Sequence, residues 1–266
     1  MSLQTWQSPE DLPLLADGIS QQTQYRPPFS ADLAGRELEL VNAAGARVGY
    51  RFVDDHAMTR SAGEAVTTRH YDATLVREGI YLIDALVEDV APDGAVAGLP
   101  SAETWALDLN TGRVTIARSW VHERGDGVRW VSTAHERCWL PGSEEAGEHL
   151  PSAGMAGHRV LWRYSDTDSY DHVYLNAHNF AWQCVTGVEE GLTEHDRTRT
   201  FEVADRLYLF EWSEHVQPVE SVLFVDLREM KTYGRMFGWE ERVQQILHHQ
   251  FGARGQLLNV TTYPDE

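Results

Sequence analysis

The chain reads as all-β, with two antiparallel barrels in tandem, and three observations predict this. Short segments rich in aromatic and β-branched residues follow one another with polar residues interleaved and turn residues between them, the pattern of consecutive antiparallel strands. It is densest from Gly157 to Gly238, in Val160-Leu-Trp-Arg-Tyr164, Tyr170-Asp-His-Val-Tyr-Leu-Asn176, Ala181-Trp-Gln-Cys-Val185, Leu207-Tyr-Leu-Phe-Glu-Trp-Ser213 and Val222-Leu-Phe-Val225. The length of 266 residues suits two domains at roughly 100–200 residues each. The second half also repeats the first in order. Tyr50-Arg-Phe-Val-Asp54 matches Trp162-Arg-Tyr-Ser-Asp166, Ile80-Tyr-Leu-Ile-Asp84 matches Leu207-Tyr-Leu-Phe-Glu211, and Leu107-Asp-Leu109 matches Val225-Asp-Leu227. Shared Arg and Asp positions favour duplication of one β unit.

Residues 1–34 read as an irregular lead-in. Ser8-Pro-Glu-Asp11 supplies an N-cap, a proline at the first helical position and acids in the first turn, so a short helix is expected there. Tyr25-Arg-Pro-Pro28 is extended, because proline disfavours helix both at and before itself, and is expected to cross a barrel end. The first barrel occupies 35–140. Its strands are Arg36–Leu40, Arg47–Phe52, Val66–Arg77, Gly79–Asp89, a hairpin of Thr104–Leu109 and Arg113–Trp120 about Asn110-Thr-Gly112, and Val128–Cys138. Residues 141–156, rich in Gly, Pro, Ser and Glu without a hydrophobic period, form the linker. The second barrel occupies 157–266, with a polar loop before Leu207. Apolar residues at 239, 243, 246, 247 and 251 have helical spacing and Gly252 follows, which predicts one helix closing that barrel; Leu257–Tyr263 reads as a last strand.

Composition narrows the function classes. Hydrophobic residues make up 42%, enough for a packed core. Forty-one acidic against 22 basic residues give a net charge of −19, which repels nucleic acid and anionic membrane. Two cysteines, Cys138 and Cys184, exclude a disulfide framework and a four-thiolate zinc site. No apolar run reaches the ~18 residues of a membrane helix. Met1-Ser-Leu-Gln-Thr-Trp-Gln7 lacks the basic start and apolar core of a signal peptide, so a cytoplasmic location is expected. His172, His178 and His195, with Asp166, Asp168 and Asp171, match no standard ligand spacing; neither a metal nor a cofactor is expected. A homodimer is left open.

Strand alternation sorts the candidate site residues. Val160, Trp162 and Tyr164 share a face, as do Tyr170, His172, Tyr174 and Asn176, and Tyr208, Phe210, Trp212 and Glu214. Each row is mostly aromatic. A small barrel turns one such face inward, where side chains or one ligand fill the space. A carboxyl at the end of an aromatic row is desolvated there, which raises its pKa and suits proton transfer. The alternative is a solvated Glu214 at the rim.

The run Tyr164-Ser-Asp166, Tyr170-Asp-His-Val-Tyr-Leu-Asn176, Trp182-Gln-Cys-Val-Thr-Gly-Val-Glu-Glu-Gly-Leu192 and Leu207-Tyr-Leu-Phe-Glu-Trp212 resembles the C-terminal domain of the MoaF family. The resemblance implies two lipocalin-like (calycin) domains. The family's name implies molybdenum cofactor biosynthesis but places no reaction on residues of this chain. The same stretch resembles the phenolic acid decarboxylases, calycin enzymes that need no cofactor. In their pattern two aromatic residues, an Arg and a Glu form the site. Trp162 and Tyr164 fall on the aromatic pair, Glu214 on the Glu, and Gln183 where the Arg belongs. An amide cannot clamp a carboxylate as a guanidinium does, so Gln183 points to a ketone, amide or lactone. In the first unit the matching positions are Tyr50, Phe52 and Val87, with no Glu, which predicts a filled, supporting barrel.

The reading that results is a cofactor-free acid–base enzyme, lyase- or isomerase-like, acting on a small aromatic or conjugated molecule. Glu214 and Tyr164 are its catalytic residues; Trp162, Gln183, His172, Tyr174, Tyr208, Phe210 and Trp212 bind the substrate. The alternatives are a binding protein without turnover and an accessory protein of molybdenum cofactor assembly.

Overall fold

A computed structural model describes residues 12–19, 24–90 and 92–262. The chain forms two compact units, Pro27–Leu150 and Pro151–Glu266 together with Met1–Arg26. The lead-in, read from sequence as a segment of its own, thus belongs with the second barrel. The expected helix start at Ser8–Asp11 lies outside the described residues.

The first unit is a nine-stranded antiparallel sheet. Its strands are β1 (Glu37–Asn42), β2 (Arg47–Phe52), β3 (Ala57–Ala62), β4 (Ala65–His70), β5 (Asp72–Arg77), β6 (Ile80–Val87), β7 (Ser101–Asp108), β8 (Arg113–Glu123) and β9 (Arg129–Trp139). They run in the order β4-β3-β2-β1-β9-β8-β7-β6-β5, so the two edges are strands adjacent in sequence. The expected single strand Val66–Arg77 breaks at Tyr71. That side chain is fully buried, and its hydroxyl donates to the carbonyl of Asp54 at 2.8 Å. The interior is filled. Tyr50, Phe52 and Val87 all sit in its hydrophobic cluster, with Trp105 edge-on to Tyr50, and buried Arg69 reaches Glu103 and Asp89, both at 2.8 Å.

The second unit is a closed eight-stranded barrel. After the two-residue strand β10 (Leu150–Pro151) come β11 (His158–Arg163), β12 (Ser169–Asn176), β13 (Asn179–Thr186), β14 (Thr193–Ala204), β15 (Leu207–Ser213), β16 (Val219–Asp226), β17 (Lys231–Glu240) and β18 (Gln245–Val260). Each of β11–β18 pairs with its sequence neighbour, and β11 closes the ring on β18. The expected linker, 141–156, holds a 3-10 turn at Glu144–Ala146 and β10.

Two expectations are corrected. The helix over 239–251 is instead a hairpin of β17 and β18, with Glu240 opposite Gln245. Two of the apolar positions that fit a helical period, Leu247 and Phe251, share one face of β18: Phe251 is buried with Ala253 in the barrel core, and Leu247 lines its pocket. Pairing both neighbours of β18 outweighs a weak helical preference, since a barrel with a missing strand would leave unsatisfied edges. Gly252 ends no helix. A Cβ there would lie 2.8 Å from the Arg26 Cα and the Tyr25 carbonyl, so the glycine admits the lead-in across β18. Tyr25 is pinned by its hydroxyl on Asp166 at 2.7 Å and by the Arg254 guanidinium over its ring. The polar loop before Leu207 is likewise a strand, β14, with Asp196, Thr198 and Thr200 buried and Arg197 and Arg199 exposed.

The repeat extends to register. Tyr81 pairs with Leu107 in the first sheet, and the equivalent Tyr208 pairs with Val225 in the second. Asp108 accepts the N–H of Asn110, and the equivalent Asp226 accepts that of Arg228.

Candidate active site in the C-terminal barrel

One end of the second barrel holds a pocket with about 490 Å³ of space between its atoms, part of it open to solvent. Its walls are aromatic: Tyr164, Tyr170, Trp182 and Trp212, with His172 among them. Glu189 and Glu214 supply carboxyls, and Leu15, Gln217, Val219, Met236 and Leu247 complete the lining. Leu15 belongs to the short helix α1 (Leu15–Ile19), whose start is fixed by the Leu15 N–H donating to Glu240 at 3.1 Å. The covering role expected of a helix at 239–251 falls to this residue.

Alternation explains which predicted residues meet. On β12, Tyr170 and His172 face inward; on β13, Trp182 sits directly opposite His172. Trp212 ends the inward row of β15, and its ring lies 6.1 Å from that of His172. Glu214 follows two residues later, half-buried at the rim. Of the residues expected at the site, Glu214, Tyr164, His172 and Trp212 line the pocket.

The others do not. Gln183 is exposed, on the outer face of β13 between inward Trp182 and Cys184, so the residue set in the Arg position does not reach the pocket. Trp162 is buried beneath rather than beside the pocket. It lies over Gly255, where a Cβ would come within 2.5 Å of the indole, and donates to the Tyr174 hydroxyl at 3.1 Å. Tyr174, Phe180 and Phe210 pack ring against ring and fill the interior. Tyr208 precedes Trp212 by four residues, about 13 Å along the strand, and packs near Gly154.

Four acids gather at this end, and sequence reasoning missed three of them. Glu189 accepts the Tyr170 hydroxyl at 2.8 Å. Asp196 is buried and accepts the Trp182 indole N–H at 2.9 Å. Glu194 takes the backbone N–H groups of His215 and Val216 at 2.8 and 3.0 Å, and the His215 Nδ1 stands 3.2 Å from Asp196. The signal for Glu194 and Asp196 was present: they alternate with His195, Arg197 and Arg199. Glu189 sits in the turn Gly187–Gly191, which carries no period to read.

Electrostatics follows from burial and like charge. The Glu214 carboxyl is held well above the usual carboxylate range, by burial first and then by Asp196, Glu194 and Glu189; the Trp212 indole N–H offsets this in part. That N–H makes no well-aligned hydrogen bond of its own. Burial also raises Asp196, with Glu194 adding to it, and raises Glu189 against the Tyr170 hydrogen bond. Burial pushes His172 down to about 3, leaving a neutral ring, and its Nδ1 meets no hydrogen-bond partner among the described residues. Burial raises the Tyr164 phenol, so it remains protonated. The pocket therefore offers a carboxyl that holds its proton more tightly than an ordinary glutamate, a neutral imidazole and a phenol between aromatic walls, groups able to hydrogen-bond a ligand and move a proton.

Glu194, Asp196 and His215 bring donor atoms within 4.8 Å of one another. Both Asp196 oxygens are engaged by Trp182 and His215, and one Glu194 oxygen holds two backbone N–H groups. The trio is a latch that holds the loop carrying Glu214. His178 and His195 are exposed and do not approach buried His172 as a ligand set.

Comparison with known proteins agrees with this architecture. Residues 4–123 match the model of the MoaF N-terminal domain, and residues 149–261 that of the MoaF C-terminal domain. Protein MoaF of Klebsiella aerogenes is 37% identical over 266 residues, covering 94% of this chain and 95% of that protein. A solved structure described as a putative beta-lactamase from Burkholderia vietnamiensis overlaps 39% of this chain and 95% of its own, at 17% identity and a TM-score of 0.33, too low to carry an argument. Two matched domains in the right order, and a relative matched along nearly its whole length, make this chain a member of the MoaF family.

Proposed function

We propose that the C-terminal barrel binds a small aromatic or conjugated molecule and that Glu214 moves a proton on it, in a lyase- or isomerase-like reaction. The observation that carries this reading is the position of the half-buried Glu214 carboxyl two residues after Trp212, with its pKa raised, in the same pocket as Tyr164 and His172. A carboxylic acid whose pKa is raised moves toward the range where it can both give and take a proton, and a neutral imidazole nearby can accept a hydrogen bond. Trp182 and Trp212 offer ring faces to a flat ligand. Among the described residues, none that lines the pocket is Lys or Arg, so a carboxylate or phosphate would enter without a counter-charge there. This favours ketones, amides, lactones and phenols, and it disfavours the reading as a molybdenum cofactor accessory, which rests on the family's name alone.

A thermal-shift screen of phenols, aryl ketones, lactones and phenolic acids tests the reading, because a ligand that binds the folded state raises the melting temperature. The hit is then followed for turnover in the parent protein and in Glu214→Gln. Turnover lost with binding retained supports the enzyme. Binding without turnover in the parent replaces it with a binding protein. Turnover that survives the change removes Glu214 from the chemistry.

A further inference from the structure

A second cluster of ligating side chains lies in the first unit. We propose that His56, His70 and Asp72 form a binding site for a divalent transition-metal ion, zinc being the type case, and that the ion pins the corner between the two edge strands of the open sheet. The three residues bring donor atoms within 4.8 Å of one another. His56 Nδ1 lies 3.0 Å and His70 Nε2 3.6 Å from the same oxygen, Oδ1 of Asp72. In a tetrahedral sphere with bonds of about 2.0–2.1 Å, neighbouring donor atoms stand about 3.3 Å apart. The two separations bracket that value. Two imidazoles and one carboxylate leave a fourth position for water, and this donor set suits zinc, nickel, copper and cobalt rather than calcium or magnesium.

The cluster is built, not merely crowded. Asp54 accepts the N–H groups of His56 and Ala57 at 2.9 and 2.7 Å, which folds the turn that carries His56. The His56 carbonyl accepts the Tyr71 N–H at 2.9 Å, tying this turn to the residue between His70 and Asp72. Ala57 pairs with His70 across β3 and β4. The two imidazole rings lie 5.4 Å apart and 14° from parallel, and Phe29 stands edge-on to His56. Ligands held in place by surrounding bonds lose little freedom on binding an ion.

The position gives the ion a structural task. His70 ends β4 and Asp72 begins β5, the two edges of the nine-stranded order, and no ladder joins them. An ion held by His56, His70 and Asp72 spans that seam, and a ligand that binds the folded state only adds stability by mass action.

The test is calorimetric titration of the full chain with zinc after chelator treatment, in a buffer that does not coordinate metal. One equivalent is expected to bind in the micromolar range or tighter. His70→Asn and Asp72→Asn should each weaken binding by at least about tenfold, whereas His215→Asn should leave it unchanged. His70 is exposed, so its replacement does not threaten the fold. X-ray absorption of the loaded protein should show two imidazole ligands. Absence of saturable binding, equal binding by the His70→Asn protein, or loss of binding in the His215→Asn protein instead would each overturn the proposal.

Discussion

Glu214 and Asp196 show how one side chain's surroundings set its chemistry. Glutamine is close to glutamate in shape and cannot exchange the proton, so Glu214→Gln should cut turnover of the screening hit by about 10²–10⁴-fold. Its melting temperature should change little, and steady-state kinetics beside a thermal melt checks both. Asp196 makes a prediction about pH. Its folded pKa lies above the 3.8 of an ordinary Asp because it is buried beside Glu194. In the unfolded chain it loses its proton more readily. Its contribution to stability is therefore present below about pH 4 and is lost as the pH rises through the folded pKa. Glu189 and Glu214, also raised, act in the same sense. His172 acts oppositely: its stabilising share is present above 6.5 and lost as the pH falls toward about 3. Melting temperatures recorded from pH 4 to 8 should fall less steeply for Asp196→Asn than for the parent. An unchanged slope would show that Asp196 keeps an ordinary pKa.

At the scale of elements, two contacts hold the barrel wall. Trp162 on β11 lies over Gly255 on β18, its cross-strand partner. Gly255→Ala puts a methyl 2.5 Å from the indole, so it should cost about 1–3 kcal/mol by chemical denaturation. A smaller loss would mean the ring shifts freely. Buried Arg235 on β17 donates to Glu220 on β16 at 2.9 Å. Removing one partner of a buried pair strands the other charge, so Arg235→Met alone should cost about 3–5 kcal/mol, while Arg235→Met with Glu220→Leu should recover much of it. A double variant no more stable than the single one would assign the loss to packing.

At the scale of the whole molecule, two units come from one repeated plan but differ in closure and filling. In the first sheet the ends β4 and β5 carry no ladder between them, while β14 pairs β15 in the second and closes it. The first interior is occupied by aromatic side chains and the Arg69–Glu103 pair; the second keeps a pocket beneath Leu15. Because the lead-in belongs with the second barrel, a fragment of residues 27–150 should unfold cooperatively by itself. A fragment of 151–266 should melt lower than the same fragment with 1–26 fused to it, since it lacks the Leu15–Glu240 and Tyr25–Asp166 bonds. Calorimetry of the three fragments checks this, and equal melting of the last two would remove the lead-in from the barrel's stability.

The amino-acid pattern alone determined the fold class, the repeat and the inward rows of β11, β12 and β15, because a period of two is local and each strand carries it within its own residues. It therefore placed Tyr164, His172, Trp212 and Glu214 on faces that meet. The register between strands was decided only by the tertiary structure. Gln183 and Trp182 are neighbours in sequence, and pairing of β13 with β12 turned Trp182 inward and Gln183 out. Over 239–251 Leu247 and Phe251 fit one face of a helix and one face of a strand; ring closure, a property of all eight strands at once, selected the strand. The carboxyls of Glu189, Glu194, Asp196 and Glu214 come from three separate stretches of chain, and their mutual repulsion exists only where the barrel brings them together. The same is true of Leu15, which reaches the pocket from more than a hundred residues away in sequence because a long loop costs little entropy to close.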